Sequence, residues 1–247
     1  MHRFFVDKGN ILNANESILI DGTDVNHIKN VLRLSLGDEI LVGDGSGTDY
    51  VCSISSISND SVTADIRDVI KNQAELPVRI TLFQGMPKAD KLELIIQKAV
   101  ELGACEIVPV VTKRSVVKID EKKADKKLER YNGIAMAAGK QSGRGIVPKV
   151  SGFMSFKQAI EYAKTMDMCI IPYEEARGIE YSKEVIGSIY GKKSLGIFIG
   201  PEGGFAREEI DLAVSAGACP ITLGNRILRT ETAGLAVLSI IMFELER

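Results

Sequence analysis

Residues Ser194 to Arg229 read SLGIFIGPEGGFAREEIDLAVSAGACPITLGNRILR, and the architecture follows from them. The stretch holds two short apolar runs, Leu195 to Ile199 and Pro220 to Leu223, each stopping at a corner built from glycine. The corners are Gly200-Pro201-Glu202-Gly203-Gly204 and Gly224-Asn225-Arg226, the second running on through Ile227-Leu228-Arg229-Thr230-Glu231-Thr232. Apolar runs this short, bounded by turn signals, are the pattern of strands buried on both faces, as in a parallel sheet covered by helices. Glycines then stand at the carboxyl ends of the strands. Ligands of open α/β sheets bind there, because a backbone without Cβ atoms comes close and offers its own N–H and C=O groups. Neither corner has the lysine of a phosphate loop or the spacing of a dinucleotide motif. The Glu202 carboxylate would repel a phosphate, so a ligand with ribose hydroxyls and a positive centre suits the corner better. Taken alone, Pro-Glu-Gly-Gly reads equally well as a tight strand-to-helix turn.

The 247 residues suffice for one large domain or two ordinary ones, and 45% hydrophobic with 26% charged residues describes a globular chain with a real core. No apolar run approaches the ~20 residues of a membrane helix, and the opening Met-His-Arg-Phe-Phe-Val-Asp turns polar at once, unlike a secretory leader. Cys52, Cys105, Cys169 and Cys219 are widely separated and lack metal-ligand spacing, so they read as free thiols in a reducing cytoplasm. Two histidines, His2 and His27, leave little material for a zinc site or a Ser-His-Asp triad. Hard chemistry must then come from a bound cofactor or cosubstrate, with no metal expected. A net charge of −2 does not announce a nucleic-acid binder, though bulk charge can conceal a basic face.

Residues 1–70 read as a small, mainly β barrel. Arg3 to Val6, Ser17 to Ile20, Glu39 to Val42, Tyr50 to Ile57 and Ser61 to Val69 are short runs rich in β-branched residues. One helix interrupts them, capped by Thr23 or Asp24, with Val25, Ile28, Val31 and Leu32 as its apolar face. Gly43 to Gly47 falls between two strands and is a hairpin loop, not a nucleotide motif. Residues 71–77 form a polar linker ending in Pro77, and beyond it the period changes. Strands at Val78 to Gln84, Glu106 to Val111 and Met168 to Ile171 alternate with helices at Asp90 to Leu102 and Phe156 to Met166, so residues 78–247 form a parallel α/β unit. A third strand end, at Pro172, joins the two glycine corners. Thr232 to Glu246 is apolar nearly all round and is expected to be buried in the core or against another subunit.

Basic residues crowd between Lys113 and Arg144. Lys113, Arg114 and Lys118 precede a helix whose Lys122, Lys123, Lys126, Lys127 and Arg130 are interleaved with Glu121, Asp125 and Glu129, as on a solvated face. Arg114, Gln141 and Arg144 have few acidic neighbours and sit in loops or at a helix end, where binding residues concentrate.

The segments Ile199 to Phe205 and Leu223 to Ala233 resemble the cofactor signature of the SPOUT superfamily of knotted RNA methyltransferases, and most closely its ribosomal small-subunit methyltransferase E family. His2 to Phe5, Gln84 to Lys88, Ile96 to Gly103 and Gln141 to Arg144 are similar to that family's other motifs. Asn225 departs from a frequent proline. The resemblance implies an N-terminal barrel similar to a PUA domain and a C-terminal parallel sheet tied in a deep trefoil knot. Periodicity alone leads to an unknotted sheet. It further implies a cytoplasmic homodimer that methylates N3 of a uridine in 16S ribosomal RNA from S-adenosylmethionine. Pro172, Gly200, Pro201, Glu202, Gly203, Leu223, Gly224, Ile227, Leu228 and Thr230 would hold that cofactor, Arg229 would stabilise the deprotonated base, and Glu231 would be the proton acceptor or a first-turn acid of the last helix. Arg3, Arg33, Lys88, Arg114, Gln141 and Arg144 would meet RNA, with Phe4 or Tyr173 available to stack on a base. A knotted methyltransferase for another nucleoside or a ribose 2′-hydroxyl, and a non-enzymatic RNA-binding assembly factor, are the alternatives.

Overall fold

A computed structural model describes residues 1–12, 16–88, 90–115 and 121–246. Contacts divide the chain into two units, Met1–Glu75 with Gly139–Val147, and Leu76–Ala138 with Pro148–Arg247.

The first unit is a six-stranded sheet. Its strands are β1 (His2–Phe5), β2 (Ile11–Leu12), β3 (Ser17–Asp21), β4 (Glu39–Gly43), β5 (Thr48–Ile57) and β6 (Ser61–Lys71), in the order β1-β4-β5-β6-β3-β2. All pairings are antiparallel except β1 with β4. Alternate residues point inward, so Ile18 and Ile20, Ile40 and Val42, Cys52 and Ile54, and Val62 and Ala64 meet Phe4 in one core. The helix α1 (Thr23–Asn26) passes directly into a π-type turn over His27–Val31. Its N-cap is Gly22, not Thr23 or Asp24. Val31, expected on the apolar face, is 64% exposed, while Val25 and Ile28 are buried. The Leu32 N–H reaches back five residues to the His27 carbonyl, 2.9 Å, and this wider turn throws the 3.6-residue phase off.

The Gly43–Gly47 corner is a β4–β5 connection in which Asp44 accepts the N–H groups of Ser46 and Thr48, at 2.8 and 3.1 Å. The segment from 139 to 147 packs on it. Gly47 N–H donates to the Gly145 carbonyl and Val147 N–H to the Gly45 carbonyl.

The second unit carries β7 (Arg79–Gly85), α2 (Lys91–Glu101), β8 (Ala104–Val111), α3 (Glu121–Gln141), β9 (Lys149–Val150), β10 (Met154–Ser155), α4 (Phe156–Ala163), β11 (Met168–Pro172), α5 (Ile179–Gly187), β12 (Ser194–Ile199), α6 (Arg207–Ser215), β13 (Cys219–Ile221) and α7 (Thr230–Leu245). Helix α3 ends within the stretch that belongs to the first unit. All seven strands pair in parallel, in the order β10-β8-β7-β12-β11-β13 with β9 on β8. Alternation divides their side chains between two faces. Ile80, Leu82, Leu195, Ile197 and Ile170 meet α2, α3, α5 and α7 on one, and Phe83, Phe198 and Ile171 meet α4 and α6 on the other. This double burial explains why the strands read as nearly continuous apolar runs. Helix α4 starts on a reciprocal cap between Ser155 and Gln158. Helix α7 is buried on one side through Val237, Leu238, Ile241 and Leu245 but leaves Phe243 81% exposed.

The four cysteines are free thiols. Burial pushes the Cys52 thiol up to about 12 and the Cys169 thiol to about 11, which keeps both unreactive at neutral pH.

Candidate active site

Three strands of the second unit, β11, β12 and β13, stop level with one another, and their carboxyl ends open on a cavity of about 570 Å³. Its wall is built from three strand ends and the turns that follow them. Pro172 to Glu174 come from the end of β11, Ile199 to Phe205 from the end of β12, and Thr222 to Gly224 with Arg226 to Thr230 from the segment joining β13 to α7. All ten residues expected to hold a cofactor line this one cavity, as do Arg229 and Arg114.

The first corner favours glycine at two points. A Cβ at Gly200 would lie 3.1 Å from the Gly204 Cα, and Gly204 itself adopts φ +67° with its N–H on the Pro201 carbonyl. Arg114 reaches the same turn, donating from its guanidinium to the Gly203 carbonyl at 2.9 Å. At the second corner Gly224 turns with φ +105°, and its N–H donates to the Thr222 hydroxyl at 3.2 Å.

Charge at the rim is organised by Lys91, which stands 3.2 Å from both Glu202 and Glu231. Glu202 also accepts the Lys88 backbone N–H, at 3.1 Å. Burial acts to raise the Glu202 carboxyl, but its own N–H, that of Lys88 and the Lys91 ammonium outweigh it and hold the group below the usual carboxylate range. A hydrogen bond from its own N–H does the same for Glu231, with Lys91 and Arg229 adding to it against a little burial. Glu231 does not line the cavity; it occupies the first turn of α7.

The expected RNA contacts separate into two groups. Arg33, Lys88 and Gln141 are exposed, Arg33 with φ +55°, and Arg114 stands at the cavity. Arg3 and Arg144 are instead turned inward. Arg144 is 2% exposed and meets Glu75 with two parallel hydrogen bonds of 2.8 and 2.7 Å. The same carboxylate accepts the N–H groups of Gly145 and Ile146. Arg3 pairs with the buried Asp49, which also accepts from Asn72 at 2.7 Å. Guanidinium groups so engaged have little left for a phosphate.

The RNA methyltransferase domain family matches residues 74–242, and the RNA methyltransferase PUA domain matches residues 20–67. The ribosomal RNA small subunit methyltransferase E of Bacillus subtilis (strain 168) is 39% identical over 251 aligned residues, covering 100% of this chain and 98% of that protein. The chain belongs to the ribosomal RNA small subunit methyltransferase E family. Two solved structures are similar throughout. The family member from Neisseria gonorrhoeae, bound to S-adenosyl methionine, has a TM-score of 0.85 at 30% identity and covers 98% of this chain and 97% of that one. A methyltransferase from Legionella pneumophila, in complex with bound SAM, has a TM-score of 0.83 at 29% identity and covers 98% and 96%.

Lys91 and Arg226 line the cavity but were not singled out by sequence reasoning. Lys91 is the first residue of an amphipathic helix, where a lysine ordinarily means solvent; only the two acids brought to it from 111 and 140 residues away give it a role. Arg226 had a readable signal, since it stands inside the second corner.

Proposed function

We propose that this protein transfers a methyl group from S-adenosylmethionine to N3 of a uridine in the 16S ribosomal RNA of the small subunit. The carrying observation is the cavity at three parallel strand ends, lined by both glycine corners and by Arg229. Main-chain N–H and C=O groups suit the edge of adenine and the polar end of methionine, and the ionised Glu202 suits ribose hydroxyls and a positive centre. When bound, S-adenosylmethionine supplies an electrophilic methyl group.

The protein's own task lies on the acceptor side. Uridine N3 carries a proton, and its loss spreads negative charge over O2 and O4. Arg229, exposed at the rim as the residue before α7, brings N–H donors to that charge, as an oxyanion hole does. Glu231 is drawn below the usual carboxylate range by its own N–H and by Lys91, which makes it a weaker proton acceptor than a free carboxylate. Its position in the first turn favours a role in complementing the helix dipole and fixing Lys91.

We read the second unit as the SPOUT fold with its deep trefoil knot and the first as a PUA-like barrel that presents Arg33 and Gln141 to RNA, while Lys88 and Arg114 serve from the second. Family membership supports both readings. Arg3 and Arg144 leave the RNA-binding set because their guanidinium groups are engaged internally. A homodimer is supported by the apolar side chains that α2 and α7 leave uncovered, Leu94, Ile240 and Phe243. No helix among the described residues is long and apolar enough to cross a membrane.

Nucleoside mass spectrometry of 16S ribosomal RNA tests the proposal. Cells lacking the gene should lose one 3-methyluridine, regained with the unaltered gene but not with Arg229→Ala, whose protein should still bind S-adenosylmethionine. An unchanged 3-methyluridine content in the deletion strain would refute it.

A further inference from the structure

Gln84 is the penultimate residue of β7, fully buried, and in register with Ile199 at the end of β12. Its side-chain amide donates twice, to the Gly85 carbonyl at 2.9 Å and to the Thr230 hydroxyl at 2.8 Å. The Thr230 hydroxyl donates in turn to the Gly200 carbonyl at 2.6 Å. The direction of this relay is dictated by its ends. Carbonyl oxygens only accept, so the amide must present its NH₂ group to Gly85, and the single hydroxyl proton must go to Gly200, leaving its lone pairs for Gln84.

We infer that Gln84 is a positioning residue for the methyl donor, one that clamps the start of α7 to the first glycine corner without touching the ligand. The inference rests on the cofactor reading given above. Gly200 and Thr230 both line the cavity, and Gln84 does not. Thr230 is also the first residue of α7 and follows Arg229, so the clamp fixes the distance between the two corners and the base of the arginine together. Successive hydrogen bonds in a dry interior reinforce one another, which makes the clamp stiffer than its separate links.

The other end of the amide shows that packing alone does not account for this residue. Gln84 Oε1 is buried with no hydrogen-bond partner among the described residues. Its neighbour there is α7, where a Cβ at Gly234 would lie 3.7 Å from it. An unpaired buried acceptor is a cost that methionine, with a similar shape, would not carry. Methionine would remove the amide donor from both the Gly85 carbonyl and the Thr230 hydroxyl, while the hydroxyl keeps its own bond to Gly200 and the unpaired Oε1 disappears, so the losses are partly offset and the net change in stability would be small. The clamp would be lost all the same.

The test compares Gln84→Met with the unaltered full-length protein by calorimetric titration with S-adenosylmethionine and by thermal unfolding without ligand, and adds Thr230→Val and Thr230→Ser. Gln84→Met should melt close to the unaltered protein yet bind S-adenosylmethionine about tenfold more weakly, the equivalent of one good buried hydrogen bond. Its KM for the cofactor should rise by a similar factor while kcat at saturation changes less. Thr230→Val should weaken binding in the same way, and Thr230→Ser, which keeps the hydroxyl, should restore it. Equal affinity in Gln84→Met and the unaltered protein overturns the inference alone. So does a Gln84→Met protein that fails to fold, since the residue would then be structural. Failure of the unaltered protein to bind S-adenosylmethionine overturns the cofactor reading and this inference with it.

Discussion

Replacing Gly85 by alanine probes how firmly the first glycine corner is seated. Gly85 ends β7 and lies against the Gly200-Pro201 turn, so an added Cβ would stand 2.6 Å from the Pro201 Cδ, 2.7 Å from the Pro201 nitrogen and 3.0 Å from the Gly200 carbonyl carbon. Carbon pairs rest at ~3.5 Å or more, leaving a deficit of about 0.9 Å. A flexible side chain could swing aside, but these atoms belong to a proline ring and to main chain. The corner as a whole must move. Overpacking of this kind costs roughly 1–3 kcal/mol, and Tm falls by about 2–4 °C per kcal/mol in a chain of this size. Affinity should suffer as well, because a corner displaced by about 0.9 Å no longer meets its ligand at hydrogen-bonding distance. Losing one such bond weakens S-adenosylmethionine about tenfold. Differential scanning calorimetry and isothermal titration read the two effects on the same sample. A Gly85→Ala protein with unaltered Tm and unaltered affinity would refute the reasoning.

Gly133→Ala should act in the opposite direction, raising stability by about 0.5–1 kcal/mol, because Gly133 lies inside α3 with nothing within 4 Å of an added Cβ; thermal unfolding checks the sign. Arg144→Ala should destabilise the first unit by about 3–5 kcal/mol, as breaking a buried ion pair does, measured by denaturant unfolding of the whole chain. Burial acts to raise the Glu75 carboxyl, but Arg144 and the Ile146 and Gly145 N–H groups prevail and hold it below the usual value. Its stabilisation is therefore complete above about pH 4.3 and is lost as pH falls through the depressed value, so the stability gap between the unaltered protein and Arg144→Ala should close on acidification. If Arg33, Lys88 and Arg114 each meet one phosphate, the logarithm of RNA affinity should fall against the logarithm of salt with a slope of about −2; filter binding at several salt concentrations measures it.

The parallel sheet was legible because strands buried on both faces leave runs such as Leu195 to Ile199 and Met168 to Ile171 that few other structures produce. The cavity was legible for a related reason. Glycine at a strand end admits a close approach of backbone, and Gly200 and Gly224 mark two of its three edges. Arg144 was misleading because a loop with Gly143 and Gly145 beside it reads as exposed, and the carboxylate that claims it is 69 residues earlier in the chain. Lys91 failed to stand out for the same reason, its acids being distant in sequence. Val31 failed locally, since no residue pattern announced the switch from a 3.6-residue turn to a wider one. Long-range pairing of charges and small changes of helical phase are set by tertiary structure, which a linear pattern does not encode.

The Glu75 carboxylate, with its bonds to Arg144, Gly145 and Ile146, bears on the order in which the chain matures on the ribosome. Domains are usually completed as they emerge, from the N-terminus onward. Here the first unit emerges by residue 75 but lacks the segment Gly139–Val147 until a further 63 residues, Leu76–Ala138, have been made. At 5–20 residues per second that interval is about 3–13 s. During it Glu75 is without its arginine and the Gly43–Gly47 turn without the segment that packs on it. A gene truncated after residue 77 would hold the protein permanently in that interval, because the first unit takes its last segment from beyond the cut.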